Sequence, residues 1–336
     1  MAHRSLGPVA RAAAPVRLDF AGAWTDVPPF STDEGGAVVT AAISLFARAE
    51  AVRREHGYLL RANELGAEVE ILRADTPVDD PNLILHSAAL RLRPTAPVTL
   101  ITNSDVPPGS GLGSSGALDV AIVAVLSALE GHQQTPLELA HDAWRLEAVE
   151  AKVPGGKQDQ YAAALGGFNL LTFNDPDVGV HALTLDPAFS AELARRIVLC
   201  YTGASRVSGN TIARVQAACI AGDAGVTGAL FELRDVAFEM DDALRAGDFD
   251  RVGALLTRNW NAQQRLDPNM STAAMAELDD AMRTAGALGG KAAGSGAGGC
   301  MFFLAGDDAT PLRQAAREHG ARVLPVEWAM QGIRPC

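Results

Sequence analysis

The stretch DVPPGSGLGSSGALDVA, residues 105–121, decides how the rest of the sequence is interpreted. It follows PVTLITNSDVP, which has the composition of a strand, and it precedes GALDVAIVAVLSALEG, whose apolar residues have helical spacing. A flexible linker would continue into polar low-complexity sequence. A glycine-rich turn that enters a helix instead directs backbone N–H groups and the positive end of the helix dipole toward one point. The stretch alone therefore allows a phosphate-binding turn, but a capped strand-to-helix turn that binds nothing is the commoner outcome for such a sequence.

Two common nucleotide motifs do not fit this stretch. The GK[ST] ending of a Walker loop is missing, and no acidic ribose ligand follows in the register of a GxGxxG dinucleotide unit. Ser114 and Ser115 fall at the predicted start of the helix. Their hydroxyls could cap the helix, bind phosphate oxygens or coordinate Mg²⁺.

Composition narrows the class of protein. The chain has 336 residues, 48% of them hydrophobic and 20% charged, which is typical of a soluble globular protein. Its net charge of −12 argues against nucleic acid as a partner but leaves a small phosphorylated ligand open. The four cysteines are far apart, which predicts reduced thiols and a cytoplasmic location. Without an 18-residue apolar run or a paired-histidine motif, we expect neither a membrane span nor a zinc site.

The order of predicted elements indicates a mixed α/β or α+β chain in two lobes that divide near residue 190. We expect residues 1–14 to form a loose tail and VRLDFAG, GGAVVTAAISLFARAEAVRR, GGFNLLTF and ARRIVLCYTG to form strands. Thr135, Pro136 and Glu138 predict a capped helix that runs to Lys152. Residues 206–284 are predicted to be mainly helical, and residues 286–300 a glycine-rich loop before the strand MFFLAG.

Three motifs together carry a resemblance to a known family. PPGSGLGSSGALDVA resembles the ATP-phosphate loop of the GHMP kinases, the family of galactokinase, homoserine kinase and mevalonate kinase. APVRLDFAGAWTDVPP, residues 14–29, is similar to the family's N-terminal substrate segment, and GALGGKAAGSGAGGCMFFL, residues 286–304, to its C-terminal glycine-rich loop. Three matches in the family's order are more specific than one.

The resemblance implies a fold, a nucleotide and a metal. The fold would be the two-lobed GHMP kinase fold, with a ribosomal protein S5 domain 2-like N-terminal lobe and a ferredoxin-like C-terminal lobe. Residues 1–190 would form the ATP-binding domain and residues 191–336 the C-terminal domain. The cofactors would be ATP and Mg²⁺, and a homodimer is left open. The phosphate loop would comprise Pro108, Gly109, Ser110, Gly111, Leu112, Gly113, Ser114 and Ser115.

The resemblance also assigns the chemistry to individual residues. Asp159, expected in a loop after the 135–152 helix, resembles the catalytic aspartate and would accept or orient the substrate hydroxyl's proton. Arg17 matches a basic residue that would keep this carboxylate ionised and stabilise developing charge. For each, an ordinary surface position is the alternative.

Glu147 lies on a helix face shared with Ala140, Ala143 and Trp144, where a carboxylate is costly unless a positive group meets it. The resemblance places Mg²⁺ there, with Ser115 as second ligand, Ser114 as a less favoured ligand and Glu150 as the fallback for Glu147.

Substrate residues follow from the same resemblance. Asp26, next to Thr25, matches an aspartate that holds sugar hydroxyls, although Ala23 stands where glycine is common. Lys291 could be structural or could add positive potential. If the sugar is already phosphorylated, Ser205, Arg206 and Ser208 are candidates for its anion pocket. The full set predicted to bind substrate is Asp26, Thr25, Gly156, Arg206, Ser208, Gly296 and Gly298.

The motifs GGKQDQYAAALGG and YTGASRVSGN look most like the branch that phosphorylates the anomeric hydroxyl of D-glycero-D-manno-heptose 7-phosphate. GAWTDVPPFSTDEGGAVV equally resembles fucokinases. The resemblance therefore implies a sugar 1-kinase whose partners are ATP and a sugar or sugar phosphate. A sensor of the same fold that has lost catalysis is the non-enzymatic alternative.

Overall fold

The protein folds into two sheets with helices on their faces, so the α+β expectation is confirmed. A computed structural model describes residues 9–203 and 209–336. The strands are β1 (Val9–Ala21), β2 (Gly36–Arg53), β3 (Tyr58–Ala62), β4 (Ala67–Ile71), β5 (Val98–Ser104), β6 (Phe168–Asn174), β7 (Asp177–Ala182), β8 (Ile197–Tyr201), β9 (Ala287–Ala292), β10 (Cys300–Ala305), β11 (Arg322–Leu324) and β12 (Arg334–Pro335). The helices are α1 (Phe30–Asp33), α2 (Ile84–Leu92), α3 (Ser114–Leu129), α4 (Pro136–Trp144), α5 (Gln158–Leu165), α6 (Pro187–Arg196), α7 (Gly209–Ile220), α8 (Ala224–Ala246), α9 (Phe249–Gln264), α10 (Ala273–Thr284) and α11 (Thr310–Glu318). Short 3₁₀ turns lie at Asn63–Leu65 and Pro81–Leu83, and a π-helical turn at Arg145–Glu150.

The first sheet has eight strands in the order β12-β1-β2-β5-β3-β4, with β6 also paired to β2 and β7 to β6. β2 is 18 residues long, so its first part pairs with β6 and its last part with β5. β1 begins at Val9 and is buried from Ala12 onward, so the prediction of a loose tail over residues 1–14 is wrong for this part. From Ala12 onward β1 packs on both of its faces, so neither set of its alternating side chains meets solvent. This explains why most residues of β1 are apolar.

The second sheet is antiparallel and has the order β11-β8-β10-β9. β9 lies inside the segment that the sequence predicts as a glycine-rich loop, so that prediction is wrong for Ala287–Ala292. The glycines of β9 permit close packing rather than a turn, because a Cβ on Gly289 would lie 1.8 Å from the carbonyl oxygen of Gly253 in α9. Helix α9 therefore rests directly on the strand.

The two sheets share one hydrophobic core. Phe20 of β1 packs against Phe302 of β10, with ring centroids 5.5 Å apart. α3 packs on β1 and β2, and α9 packs on β9 and β1. The domain boundary at residue 190 stays a prediction, and it falls inside α6.

Residues 327–335 return to the first sheet. The Ala329 N–H donates to the Ala42 carbonyl at 2.9 Å, and the Gly167 N–H donates to the Ala329 carbonyl at 2.8 Å. Beyond them β12 pairs antiparallel with β1, with Pro335 opposite Ala12. Across residues 9–203 and 209–336, no helix is long and apolar enough to cross a membrane.

Candidate active site

The turn between β5 and α3 is where the two glycine-rich segments meet. α3 begins at Ser114, and Gly113 at its N-cap has a φ of +70°, a conformation that favours glycine. The Cys300 N–H donates to the Ser110 carbonyl at 2.7 Å, and a Cβ on Gly299 would lie 2.6 Å from that same oxygen. The C-terminal segment thus supports the turn from behind.

A single cleft of about 680 Å³ opens in front of this turn. Pro108, Gly109, Gly111, Gly113, Ser114 and Ser115 line it. Ser110 and Leu112 are fully buried behind the turn and do not line it, so their contribution is to its shape. No side chain caps the N-terminus of α3, whose first N–H groups and helix dipole favour a negatively charged group.

Arg17 joins the strand β1 to both glycine-rich segments and to Asp159. Its guanidinium donates to the Gly111 carbonyl at 2.7 Å and to the Ala293 carbonyl at 2.9 Å. It also forms an ion pair with the Asp159 carboxylate, with 2.7 Å between Nη2 and Oδ1. Arg17 is buried, whereas the Asp159 side chain is 27% exposed and lines the cleft. Asp159 lies in the first turn of α5, not in a loop as the sequence predicts, because Asp26 caps this helix.

Glu147 lies in the π-helical turn that continues α4, where the extra residue of each turn changes the direction of its side chain. The predicted Thr135–Glu138 capping box is present at the start of α4. Gln160 Nε2 donates to Glu147 Oε2 at 2.6 Å, and Ser115 is a further hydrogen-bond partner of this carboxylate. Desolvation and the nearby Asp159 charge raise the pKa of Glu147 to about 7. Glu150, the fallback, instead pairs with Arg91 at 3.7 Å and does not line the cleft.

Asp119 is a buried carboxyl that the sequence analysis did not single out. It lies one helical turn after Ser115 on α3, is fully buried, and neither of its carboxyl oxygens has a hydrogen-bond partner among the described residues. Burial and the Glu147 charge raise its pKa well above the usual range. An acidic residue within an apolar helix four positions after a candidate ligand was the signal that could have identified it.

One end of the cleft is formed by Asp26. This carboxylate accepts hydrogen bonds from the Lys157 N–H at 2.9 Å and the Gln158 N–H at 3.0 Å. Burial raises its pKa to about 6. Gly156 lies against it, so closely that a Cβ there would overlap the carboxylate. The cleft is also lined here by Trp24 and Ser295.

Several predicted substrate residues are not brought to the cleft. Thr25 is fully buried and its hydroxyl donates to the Gly22 carbonyl at 2.7 Å, so it shapes the turn that presents Asp26. Gly296 and Gly298 do not line the cleft. Ser205, Arg206 and Ser208 lie outside the described residues. Lys291 is fully buried in an ion pair with Asp19, at 2.6 Å, and is therefore structural.

Another part of the cleft lining is mostly apolar. It consists of Leu65, Ile84, Leu85, Val106 and Leu118, with Glu64 as an acidic member. The Thr102 hydroxyl donates to Glu64 at 3.0 Å. The lining of the cleft therefore combines this apolar group with the glycine-rich turn and Asp159.

Comparisons with known proteins agree with this arrangement. Residues 82–167 match the GHMP kinases N terminal domain, and residues 240–322 match the GHMP kinases C terminal domain. The D-glycero-alpha-D-manno-heptose 7-phosphate kinase of Campylobacter jejuni is 30% identical over 96% of this chain and 98% of its own length. A bifunctional fucokinase/GDP-fucose pyrophosphorylase of Arabidopsis thaliana is 28% identical over 91% of this chain and 31% of its own length.

One solved structure gives the same picture. A D-glycero-D-manno-heptose 1-phosphate kinase from Bacteroides thetaiotaomicron superposes with a TM-score of 0.78 at 25% identity, covering 98% of this chain and 99% of that one.

Proposed function

We propose, from the premise that the chain belongs to the GHMP kinase family, that this ATP-dependent sugar kinase phosphorylates the anomeric hydroxyl of a heptose 7-phosphate or a closely related sugar. The observation that carries the proposal is the Arg17–Asp159 pair, which lies in one cleft between the glycine-rich phosphate turn and the carboxylate of Asp26. The substrate proposal is supported by the Campylobacter jejuni relative, whose alignment extends over nearly both full chains.

ATP would bind with its phosphates at the turn and its nucleoside at the apolar part of the cleft lining. The left-handed Gly113 and the uncapped start of α3 offer N–H groups to phosphate oxygens. Leu65, Ile84 and Leu85 provide an apolar surface for a flat base. In this orientation the terminal phosphate would face Asp159 and the part of the cleft where Asp26 would hold the sugar.

The donor set suits Mg²⁺. Within the described part of the chain, no three His, Cys, Asp or Glu side chains are placed to hold a metal together. One carboxylate and one hydroxyl, Glu147 and Ser115, are the hard oxygen ligands that Mg²⁺ takes when nucleotide phosphates and water complete its coordination. The buried oxygens of Asp119, which have no protein partner, lie on the same helix as Ser115. Mg²⁺ would neutralise phosphate charge and orient the transferred group.

The residues of the cleft would then divide the reaction between them. Asp159 accepts the proton of the attacking anomeric hydroxyl as its oxygen bonds to the γ-phosphorus and ADP leaves. Arg17 stays fixed to Asp159, Gly111 and Ala293, so its charge is already in place when the transferred phosphoryl group passes. Asp26 would accept hydrogen bonds from sugar hydroxyls, which fits a polyol.

The proposal also covers the cellular location, the oligomeric state and the domains of the protein. A cytoplasmic location is consistent with four unpaired cysteines, which the structure also leaves unbonded. The sequence leaves a homodimer open, and light scattering would test it. We keep 1–190 and 191–336 as the proposed domains.

The test is an ATP-consumption assay with Mg²⁺ over a panel of sugars, with the position of the new phosphate read by NMR. We expect turnover of D-glycero-D-manno-heptose 7-phosphate and a phosphate on C1. Turnover of L-fucose or a free heptose alone would favour the fucokinase-like alternative, which the Arabidopsis relative supports. Binding of sugar and ATP without turnover of any sugar would favour the sensor alternative.

A further inference from the structure

Lys152 is a cation of the cleft that no other described residue engages with its side chain. Only two basic side chains of the described residues line the cleft, Arg17 and Lys152. Arg17 is committed to Asp159 and to two carbonyl groups. Lys152 is exposed, and within residues 9–203 and 209–336 it forms neither an ion pair nor a side-chain hydrogen bond. Its ammonium group is therefore available to a ligand.

The other cations around the cleft are neutralised by the protein itself. Lys157 pairs with Asp175 and lies over the Trp144 ring. Arg214 pairs with Asp267 at 2.6 Å, and Lys291 with Asp19. Among the described residues around the cleft, positive charge that could meet a ligand is therefore concentrated on Lys152.

The cleft carries more negative than positive charge. The carboxylates of Asp26, Glu64, Glu147 and Asp159 all line it. ATP and a sugar phosphate are both anions, so this surface repels them unless a cation compensates. A phosphoryl oxygen that reaches Lys152 would gain a charge-assisted hydrogen bond in place of this repulsion.

The backbone of Lys152 is held in a conformation that side chains avoid. Its φ is +56°, and Trp24 and Ala297 are the other non-glycine residues with positive φ in the described chain. Neighbouring bonds fix the loop, because the Val153 N–H donates to the Glu147 carbonyl at 3.0 Å and Arg91 donates to the Glu150 carbonyl at 2.9 Å. A glycine would satisfy this backbone without strain, so a lysine there calls for a reason in its side chain.

We infer that Lys152 binds a phosphoryl group of a substrate in the cleft. The inference rests on the proposed function and adds a residue to it. Glu147 and the loop of residues 151–156 line the cleft. A cation on this loop would attract either of two phosphates, the acceptor's own phosphate or the terminal phosphates of ATP. In the first case Lys152 selects phosphorylated over free sugars. In the second it positions the nucleotide.

The test measures binding by calorimetry, without turnover. The probes are heptose 7-phosphate, the free heptose and a non-hydrolysable ATP analogue, and the variants are Lys152→Gln and the control Arg145→Gln. Arg145→Gln removes one positive charge, as Lys152→Gln does. Arg145 is exposed and does not line the cleft, so only the net charge of the protein should change. We expect Lys152→Gln to weaken one phosphorylated ligand about tenfold or more while leaving the free heptose unchanged. Arg145→Gln should bind all three as wild type does.

The outcomes separate the two sources and the two proposals. Weaker binding of heptose 7-phosphate alone assigns Lys152 to the acceptor, and weaker binding of the ATP analogue alone assigns it to the nucleotide. Equal binding of both phosphorylated ligands by wild type and Lys152→Gln overturns the inference. If wild type binds no heptose 7-phosphate, the proposed acceptor is wrong, and the ATP analogue alone then decides the role of Lys152.

Two further variants exclude an effect through folding. Lys152→Arg should retain most of the affinity because it keeps the charge. Lys152→Gly should lose it while its melting temperature stays at or above that of wild type, because glycine removes the left-handed strain. A Lys152→Gly protein that binds phosphorylated ligands like wild type would contradict the inference.

Discussion

Two ion pairs that β1 forms differ in whether a ligand can reach them. Arg17 and Asp19 are two residues apart on β1, so their side chains leave the same face of the strand. Each pairs with an oppositely charged residue from a distant part of the sequence, Arg17 with Asp159 and Asp19 with Lys291. Both Asp19 and Lys291 are completely buried, whereas Asp159 opens onto the cleft.

The difference lies in what surrounds the carboxylate rather than in the pair itself. Lys291 donates to the Asp19 carboxylate and also to its backbone carbonyl at 2.7 Å, and burial lowers the pKa of the lysine. Nothing outside the protein can reach it. Asp159 has one oxygen on Arg17 and lines the cleft, so a ligand can reach it. Access to a ligand separates the proposed catalytic pair from the structural one.

The largest effect is expected when the open pair is broken. Asp159→Ala removes the proposed proton acceptor, and we expect kcat to fall about 10³-fold or more while ATP still binds. Steady-state kinetics with the acceptor found in the sugar panel would measure this. Asp75→Ala, which removes an exposed aspartate paired with Arg73, is the control and should keep full activity. Full activity of Asp159→Ala would remove Asp159 from the mechanism.

Breaking the closed pair should instead affect stability. Lys291→Met leaves the Asp19 charge buried without a partner, and we expect the free energy of unfolding to fall by about 3–5 kcal/mol. Urea denaturation would measure it, and adding Asp19→Asn should restore part of the loss by removing the charge. A stable Lys291→Met protein that has lost its activity would contradict the structural role.

Asp26 extends the comparison to a buried carboxylate that amides hold rather than a cation. Because its pKa in the folded protein is about 6, above the ordinary value of 3.8, its contribution to stability is full below pH 3.8 and is lost as the pH rises through 6. Asp26→Asn should therefore gain about 3 kcal/mol relative to wild type between pH 4 and pH 7. Thermal unfolding across this range measures the gap, and a gap that does not change with pH would contradict the assignment.

The smallest effect is expected from displacing Asp159 without removing it. A Cβ on Gly116 would lie 2.6 Å from the Asp159 Cβ, so Gly116→Ala must shift Asp159 relative to α3. We expect kcat to fall about 10²-fold, since small errors of position are costly in catalysis. Gly228→Ala is the matched control, because Gly228 lies in α8 with open space around it and alanine should stabilise the helix by up to about 1 kcal/mol. An unchanged kcat in Gly116→Ala would show that the site tolerates the shift.

Sequence predicted the parts of the site whose signals are local. The phosphate turn, the Thr135 capping box and the start of α3 at Ser114 depend on neighbouring residues, and the expected GHMP kinase fold is confirmed. Long-range contacts were harder to predict. Asp159 is helical because Asp26, far away in sequence, caps α5.

A glycine can indicate either a loop or a close packing contact, and the sequence alone does not distinguish the two. Residues 287–292 contain glycines that suggest a loop, but they form β9 because α9 needs a strand without bulky side chains. Thr25 and Lys291 likewise match family motifs, yet each is turned inward by partners that only the fold brings near. The roles of the individual cleft residues remain predictions that the variants above would test.

The return of residues 327–335 to the first sheet affects the order in which the strands can pair while the protein is being synthesised. β1 leaves the ribosome more than three hundred residues before β12, its partner at Ala12 and Ala13. Until then β1 has an unpaired edge, which in a nascent chain is a template for pairing with other chains. The strands of the second sheet, β8 to β11, lie between β1 and β12 in the sequence, so they emerge before the strand that carries Arg17 has both its neighbours. A ribosome-bound chain stopped before residue 327 would leave the β1 edge at Ala12 and Ala13 open to pairing with another chain.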